Sequence, residues 1–268
     1  MSVRRAWRWT VSTVVSPVVS LAFPESCWVT REPLPPRSLG LGEASREKIA
    51  RGLLASYCQR CGASIGPHTQ HDQTNPCMFC EDRPLGVLRI ARVGTYSEPL
   101  APLIKALKFQ RHWELAPVLA PFLYQALMMQ DQGLADDQRV PVEALVPVAL
   151  HWRRRWSRGF NQSHELANQV GKLGGWPVWD VLRRIRATRE QSQVHSVPQR
   201  RENLRGAFAC GAPERVAGKH LCLIDDVCTT GATLHAAARA LLRLPKEYRP
   251  ASVRAAVLCV TDHRTAAE

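Results

Sequence analysis

Acidic side chains are scarce in this chain. Its 268 residues carry 23 Asp and Glu against 36 Lys and Arg, a formal charge of +13. That balance points toward polyanionic partners such as phosphates or nucleic acid. Between Leu145 and Cys210 there are twelve basic residues and four acidic ones, a local excess of 12 − 4 = 8. No apolar run is long enough to span a bilayer: the longest candidate, Val11 to Phe23, is short and broken by Pro17 and several hydroxyl residues. Arg4, Arg5 and Arg8 before that run give it a faint likeness to an export signal. No small-residue cleavage site stands out, however, and Ser26-Cys27 makes a poor lipobox, so the expectation is a cytoplasmic protein whose first residues pack on a cysteine module. No internal repeat is visible, which excludes solenoids and propellers. A disulfide framework is also unexpected, because the nine cysteines are odd in number and four of them fall in two CxxC pairs. With 45% hydrophobic residues the chain can build a packed core, as one large domain or two modest ones.

The most informative segment is Leu221 to Thr233, LCLIDDVCTTGAT. An apolar strand-like run, Leu221 to Ile224, leads to Asp225 and Asp226. A turn bearing Thr229, Thr230, Gly231, Ala232 and Thr233 follows, and then a helical stretch from Leu234 to Leu244. Backbone N–H groups at such a helix start favour an anion, and Gly231 allows close approach of the backbone to it. Two carboxylates would repel a bare phosphate. They are useful if they accept hydrogen bonds from ribose hydroxyls or hold Mg²⁺ through water. An Asp before a helix is otherwise a common cap. Cys210, Cys222, Cys228 and Cys259 lie in or beside apolar segments and read as inert core residues; Cys228, beside this turn, is the one to watch, because a thiol pKa can fall near a helix start.

Elsewhere, strands are expected over Arg89 to Thr95, Ala144 to Leu150, His220 to Ile224 and Val253 to Val260, with helices over Glu98 to Phe109, Glu114 to Met129 and Ser163 to Leu173. Strands alternating with helices predict an α/β fold with a mostly parallel sheet. Residues 24–50, rich in Pro, Ser, Arg and Glu, read as a linker or mobile insertion. The expected division is an N-terminal extension and linker, partly flexible, over 1–57, a cysteine module over 58–85 and the α/β domain over 86–268. Cys58, Cys61, Cys77 and Cys80 form two CxxC knuckles suited to one tetrahedral structural Zn²⁺ with no open position for catalysis. His68 and His71 in the intervening loop can substitute as ligands, but four Cys make that unnecessary. Lys105 and Lys108 can face phosphates or solvent, and Trp152 and Trp156, among Arg153, Arg154 and Arg155, can stack on bases or plug the core.

IDDVCTTGAT resembles the phosphoribosyl-pyrophosphate (PRPP) signature of type I phosphoribosyltransferases. Val146-Pro147-Val148, Arg158-Gly159-Phe160-Asn161-Gln162, Leu166-Ala167, and the set Arg186, Thr188, Gln191, Arg201, Asn203 and Gly206-Ala207-Phe208 are similar to segments of the ComF/GntX family, which joins a cysteine zinc module to a phosphoribosyltransferase-like domain. The likeness runs from about Cys58 to about Val260. It implies PRPP–Mg²⁺ binding by Asp225, Asp226 and Thr229 to Thr233, a pyrophosphate loop with Arg153 and Arg158, a phosphate-side role for Asn161, and a closing segment with Gln191 and Arg201. It also implies a link to competence and DNA uptake, with single-stranded DNA and a helicase-like protein as partners. Reaction at ribose C1 with a nitrogen nucleophile is one implied activity; non-catalytic handling of DNA, or an adaptor role, is the alternative. No base-recognition segment is evident near the C-terminus. Two departures stand out: Ala149 lies where the family more often has Pro, and Thr30 lies where a cysteine partner for Cys27 is expected.

Overall fold

The structure, a computed structural model, describes residues 26–35, 38, 40–66, 77, 80, 86–110, 112–132, 134–150, 159–186 and 202–261. The chain divides into two compact units, Met1–Lys48 and Ile49–Glu268.

In the first unit, Cys27 is buried. Its backbone N–H donates to the Glu32 carbonyl at 2.8 Å, and its Sγ accepts from the Gly42 N–H at 3.5 Å. Burial raises the Cys27 thiol, but hydrogen bonds from Thr30, Gly42 and Val29 outweigh it and bring the pKa down to about 7. Helix α1, Glu43–Leu54, begins in this unit and takes up the last eight residues of the stretch whose composition suggested a linker.

The second unit is a parallel sheet flanked by helices. Its elements are β1 (Ile90–Thr95), α2 (Leu100–Phe109), α3 (Leu115–Gln130), β2 (Ala144–Pro147), α4 (Gln162–Gly174), β3 (Leu182–Arg184), β4 (Phe208–Cys210), α5 (Pro213–Val216), β5 (His220–Cys228), α6 (Ala232–Leu242) and β6 (Ser252–Val260). The main sheet has order β1-β6-β5-β2 with every pairing parallel, while β3 and β4 form a separate antiparallel ribbon. Apolar residues on both faces of β5 and β6 reflect a sheet covered twice. On one face, Leu234, Ala237, Ala238 and Leu241 of α6 join Leu221, Leu223, Ala255 and Val257 in one cluster. The alternate residue Arg254 points the other way, where its Nη1 meets Asp131 Oδ2 at 2.9 Å just after α3. The outer edge of β2 is covered: Leu145 N–H donates to the Pro177 carbonyl at 2.9 Å and Trp179 N–H to the Leu145 carbonyl at 2.8 Å.

Parallel strands bring all their carboxyl ends to one edge, where open α/β sheets hold ligands. Three elements differ from the sequence-based expectation there, and the first is β2, which ends at Pro147 and does not run on to Leu150. Strand β5 does not stop at Ile224 but continues through both aspartates to Cys228, because Asp225 and Val227 keep their register with Val257 and Cys259 of β6. Helix α6 begins at Ala232, two residues before the predicted start, since Gly231 takes a left-handed φ of 72° and turns the chain immediately.

The first cysteine knuckle is docked on the sheet. Ile90 N–H donates to the Gln59 carbonyl at 2.6 Å. Arg92, buried on β1, donates to the Gly62 carbonyl at 2.7 Å and to Ser64 Oγ at 3.0 Å, and its guanidinium lies 4.9 Å from the Tyr57 ring centre. Gly62 has φ +78°, and a Cβ there would come within 2.6 Å of Val260 Cγ2. Gly62→Ala is therefore expected to destabilise the protein by about 2 kcal/mol or more, from the strained φ and the overlap together. Thermal unfolding of wild type and variant checks this, and equal midpoints would refute the docked knuckle.

Candidate functional site

The acidic pair lies at the carboxyl edge of the central strand, and both side chains are largely out of water: Asp225 is 9% exposed and Asp226 3%. Neighbouring residues of a strand point to opposite faces, so the two carboxylates find different partners. Asp225 Oδ1 accepts from Ser163 Oγ at 3.0 Å and from the Asp226 N–H at 2.9 Å. Asp226 Oδ1 lies 2.8 Å from Lys108 Nζ, on the last turn of α2. The other Asp226 oxygen, Oδ2, is buried with no hydrogen-bond partner among the described residues, as are Thr230 Oγ1 and Gln162 Oε1. A buried carboxylate oxygen left without a donor is costly unless a cation or a ligand hydroxyl completes it. The donor set fits a hard divalent cation or ribose hydroxyls.

Burial and the neighbouring Asp226 charge push the Asp225 carboxyl up to about 7, against the opposing pull of Lys108 and the hydrogen bonds from Asp226 N–H and Ser163. The turn after β5 supplies the complementary half of the site. Thr229 and Thr233 are half-buried, Thr230, Gly231 and Ala232 are buried, and α6 opens directly after Gly231, leaving its first N–H groups at the sheet edge. Cys228 is a core residue, as its apolar setting suggests, and its nearness to a helix start does not leave it with a lowered thiol pKa. It is a buried strand residue, and burial followed by the Asp225 charge raises it to about 12.

Helix α4 fixes the far wall. Asn161 caps it: Oδ1 accepts from the Ser163 N–H at 3.2 Å, and Nδ2 donates to the Val148 carbonyl at 3.1 Å. Asn161 thus spends both ends of its amide tying the start of α4 to the end of β2, which places the Ser163 hydroxyl on Asp225. Ser163 was not singled out in the sequence; the available signal was its position two residues after a capping Asn. Lys105 is exposed, while Lys108 is drawn into the site. Arg153, Arg158, Gln191 and Arg201 lie outside the described residues, as do Arg154, Arg155, Thr188, Trp152, Trp156, His68 and His71.

Apart from the acidic pair, Cys58, Cys61, Cys77 and Cys80 bring their four Sγ atoms within 4.8 Å of one another. Cys58–Cys80 and Cys77–Cys80 are 3.8 Å apart and Cys61–Cys77 3.5 Å. A Zn–S distance of about 2.3 Å puts tetrahedral sulfurs about 3.8 Å apart, so the cluster has the dimensions of a Cys₄ zinc site. A hydrogen bond from Cys61 lowers the Cys58 thiol, against the opposing effect of burial.

A parallel sheet with an acidic pair and a phosphate-sized turn at its carboxyl edge defines a phosphoribosyltransferase-like domain. Residues 157–268 match the phosphoribosyl transferase domain family. The DNA utilization protein YhgH of Salmonella typhi is 35% identical over 227 residues, 83% of this chain and 93% of that protein. Competence protein F of Haemophilus influenzae is 32% identical over 193 residues, covering 71% and 80%. Competence protein ComFC of Bacillus subtilis is 38% identical over 205 residues, covering 75% and 77%. No solved structure matches the chain. The chain belongs to the ComF family. No helix among the described residues is long and apolar enough to cross a membrane.

Two outcomes follow from this geometry. The folded pKa of Asp225 lies above its ordinary value of 3.8. Its contribution to stability is therefore whole below about pH 4 and is lost as pH rises through about 7. Asp225→Asn, which mimics the protonated form and keeps Oδ1, should stabilise the ligand-free protein by roughly 4 kcal/mol at pH 8 and by much less at pH 4. Urea unfolding at both pH values measures the difference, and an equal effect at the two would contradict a raised Asp225. For the cysteines, about one Zn²⁺ per chain is expected, lost with Cys61→Ser plus Cys77→Ser. Metal analysis of the purified protein checks it, and a metal-free, fully folded wild type would count against the site.

Proposed function

We propose that the chain binds PRPP together with Mg²⁺ at the carboxyl edge of its sheet. The observation that carries this reading is the buried Asp226 Oδ2, without a hydrogen-bond partner among the described residues, beside a helix-opening turn of Thr and Gly residues. In this reading the Thr229–Thr233 turn and the first N–H groups of α6 hold the 5′-phosphate, and Asp225 and Asp226 receive the ribose hydroxyls. Ser163 keeps Asp225 oriented through its hydroxyl, and Asn161 keeps Ser163 in place. Arg153 and Arg158 serve the pyrophosphate, and Gln191 and Arg201 belong to the segment that closes over it. Mg²⁺, when bound, neutralises pyrophosphate and ribose oxygens; the acidic pair is the set of residues suited to hold it, directly or through water. Transfer of the phosphoribosyl group to a nitrogen nucleophile is the reaction such a site supports, chiefly by positioning and by stabilising charge. The cysteine module is structural, since four Cys ligands leave no open position on zinc.

The biological setting we propose is DNA utilisation in the cytoplasm, supported by the names of the YhgH and competence relatives and by the charge of +13. The same charge favours a second reading in which the sugar-phosphate pocket regulates a surface for single-stranded DNA, with no transfer chemistry. Steep salt dependence of DNA binding is its mark.

Calorimetric titration of PRPP with Mg²⁺ into wild type and into the Asp225→Asn, Asp226→Asn double variant tests the common core of both readings. Saturable binding to the wild type that is lost in a folded double variant is the expected result. Equal affinity in the two would sink the sugar-phosphate site. Release of pyrophosphate on adding a base or amine would then select the enzymatic reading.

A further inference from the structure

The backbone around Cys27 repeats that of the Cys58 knuckle. Cys27 N–H donates to the carbonyl of the fifth residue on, Glu32, at 2.8 Å, and Cys58 N–H donates to that of Ala63 at 2.9 Å. The fourth residue after each cysteine donates back to the cysteine carbonyl: Arg31 to Cys27 at 2.9 Å and Gly62 to Cys58 at 2.7 Å. Both of these residues take a left-handed φ, 65° at Arg31 and 78° at Gly62. Arg31 is the one residue other than glycine to do so among the described residues, so the turn is imposed there against a side chain's preference. The flanking bridges match as well: Ser26 with Pro33 and Tyr57 with Ser64, both antiparallel.

The surroundings of the two sulfurs correspond in the same way. Cys27 Sγ accepts from the N–H groups of Val29, Thr30 and Gly42, and Cys58 Sγ from those of Arg60, Cys61 and Cys77. Gly42 thus stands where Cys77 stands. Three residues further on, Ser45 Oγ lies 4.0 Å from Cys27 Sγ, as Cys80 Sγ lies 3.8 Å from Cys58 Sγ. The four positions held by Cys58, Cys61, Cys77 and Cys80 are held in the first unit by Cys27, Thr30, Gly42 and Ser45. Those residues do not fit zinc. Thr30 donates its hydroxyl to Glu32 Oε2 at 3.0 Å, Gly42 has no side chain, and Ser45 offers a neutral hydroxyl, which leaves one thiol where a structural ion takes four Cys or His ligands.

We propose that residues 26–45 are a second zinc-type knuckle pair that closes without metal, with the N–H groups of Val29, Thr30 and Gly42 on Cys27 Sγ in place of the ion. A thiolate accepts such bonds far better than a thiol does, and the lowered Cys27 pKa agrees with donors that favour the charged sulfur. The chain then carries one zinc on a backbone laid out for two. What the first unit lacks is three side chains and not the geometry. A Cβ at Gly42 would meet only ordinary contacts, Leu34 Cδ2 at 3.5 Å and Cys27 Sγ at 3.6 Å, so a cysteine has room there. This inference is independent of the sugar-phosphate reading.

The test is to supply the missing ligands. Thr30→Cys, Gly42→Cys and Ser45→Cys together should add about one zinc per chain to the wild-type content, and loading with Co²⁺ should about double the absorption of tetrahedral thiolate sites. Equal metal content in wild type and a folded triple variant overturns the proposal. A single variant keeps it open to refutation should the triple variant fail to fold. Cys27→Ala should leave the zinc content unchanged, while the Gly42 amide proton exchanges about tenfold faster for want of its acceptor. Zinc lost from Cys27→Ala would make Cys27 a metal ligand, and unchanged exchange at Gly42 would remove the clamp; either result overturns the proposal.

Discussion

Two adjacent carboxylates at the end of the central strand, both withdrawn from water, are the constraint around which the second unit is arranged. Like charges in a low-dielectric setting oppose each other, and an isolated buried carboxylate is far more costly than any one packing contact is worth. The fold offsets them piecemeal. Ser163 Oγ and the Asp226 N–H serve Asp225, Lys108 serves Asp226, and the raised Asp225 carboxyl absorbs the remaining repulsion by holding a proton near neutrality. Each device comes from a different element: α4, the strand backbone and α2. The pair therefore ties the positions of two helices to the end of β5. Among the described residues no donor reaches Asp226 Oδ2, which is a feature of a site awaiting a ligand more than of a finished core.

Buried and half-buried arginines perform the corresponding task away from the pair. Arg254 on β6 and Arg89 just before β1 converge on Asp131, with Nη1 at 2.9 Å and 3.5 Å from its two oxygens. Arg92 turns its guanidinium to a carbonyl, a hydroxyl and an aromatic ring of the cysteine knuckle. A planar fork with several donors suits such fixed, water-poor positions better than an ammonium does. The knuckle is thus fastened to the sheet by hydrogen bonds and by the close fit of Gly62 against Val260, in addition to whatever a metal contributes.

The strand–turn–helix order around Asp225, the two CxxC knuckles and the alternation of strands with helices were all legible in the sequence. Each depends on local spacing or on the period of apolar residues. What escaped lies in contacts between distant segments. Nothing near Lys108 shows that it turns toward Asp226 while Lys105, three residues earlier, faces water. Nothing around Ser163 marks it as the partner of Asp225. The strand end was misplaced because Asp is a poor strand residue by propensity, whereas pairing with β6 on a buried sheet overrides that preference through Cys228. For Cys228 the helix start does act, since the Gly231 N–H lowers the thiol, but burial and the Asp225 charge outweigh it, and neither is legible from local sequence.

The segment lying along Leu145 has a further meaning. A parallel sheet of four strands has two flanks, and an uncovered flank is a template on which another chain can add a strand. Here the β2 flank is occupied by Pro177 to Trp179, and the first N–H of β1 is taken by the Gln59 carbonyl. Backbone zippering onto β2 at Leu145 is closed to a partner peptide. Recognition on that side is left to side chains on helices and loops, which discriminate by shape and charge where main-chain pairing would accept almost any extended sequence.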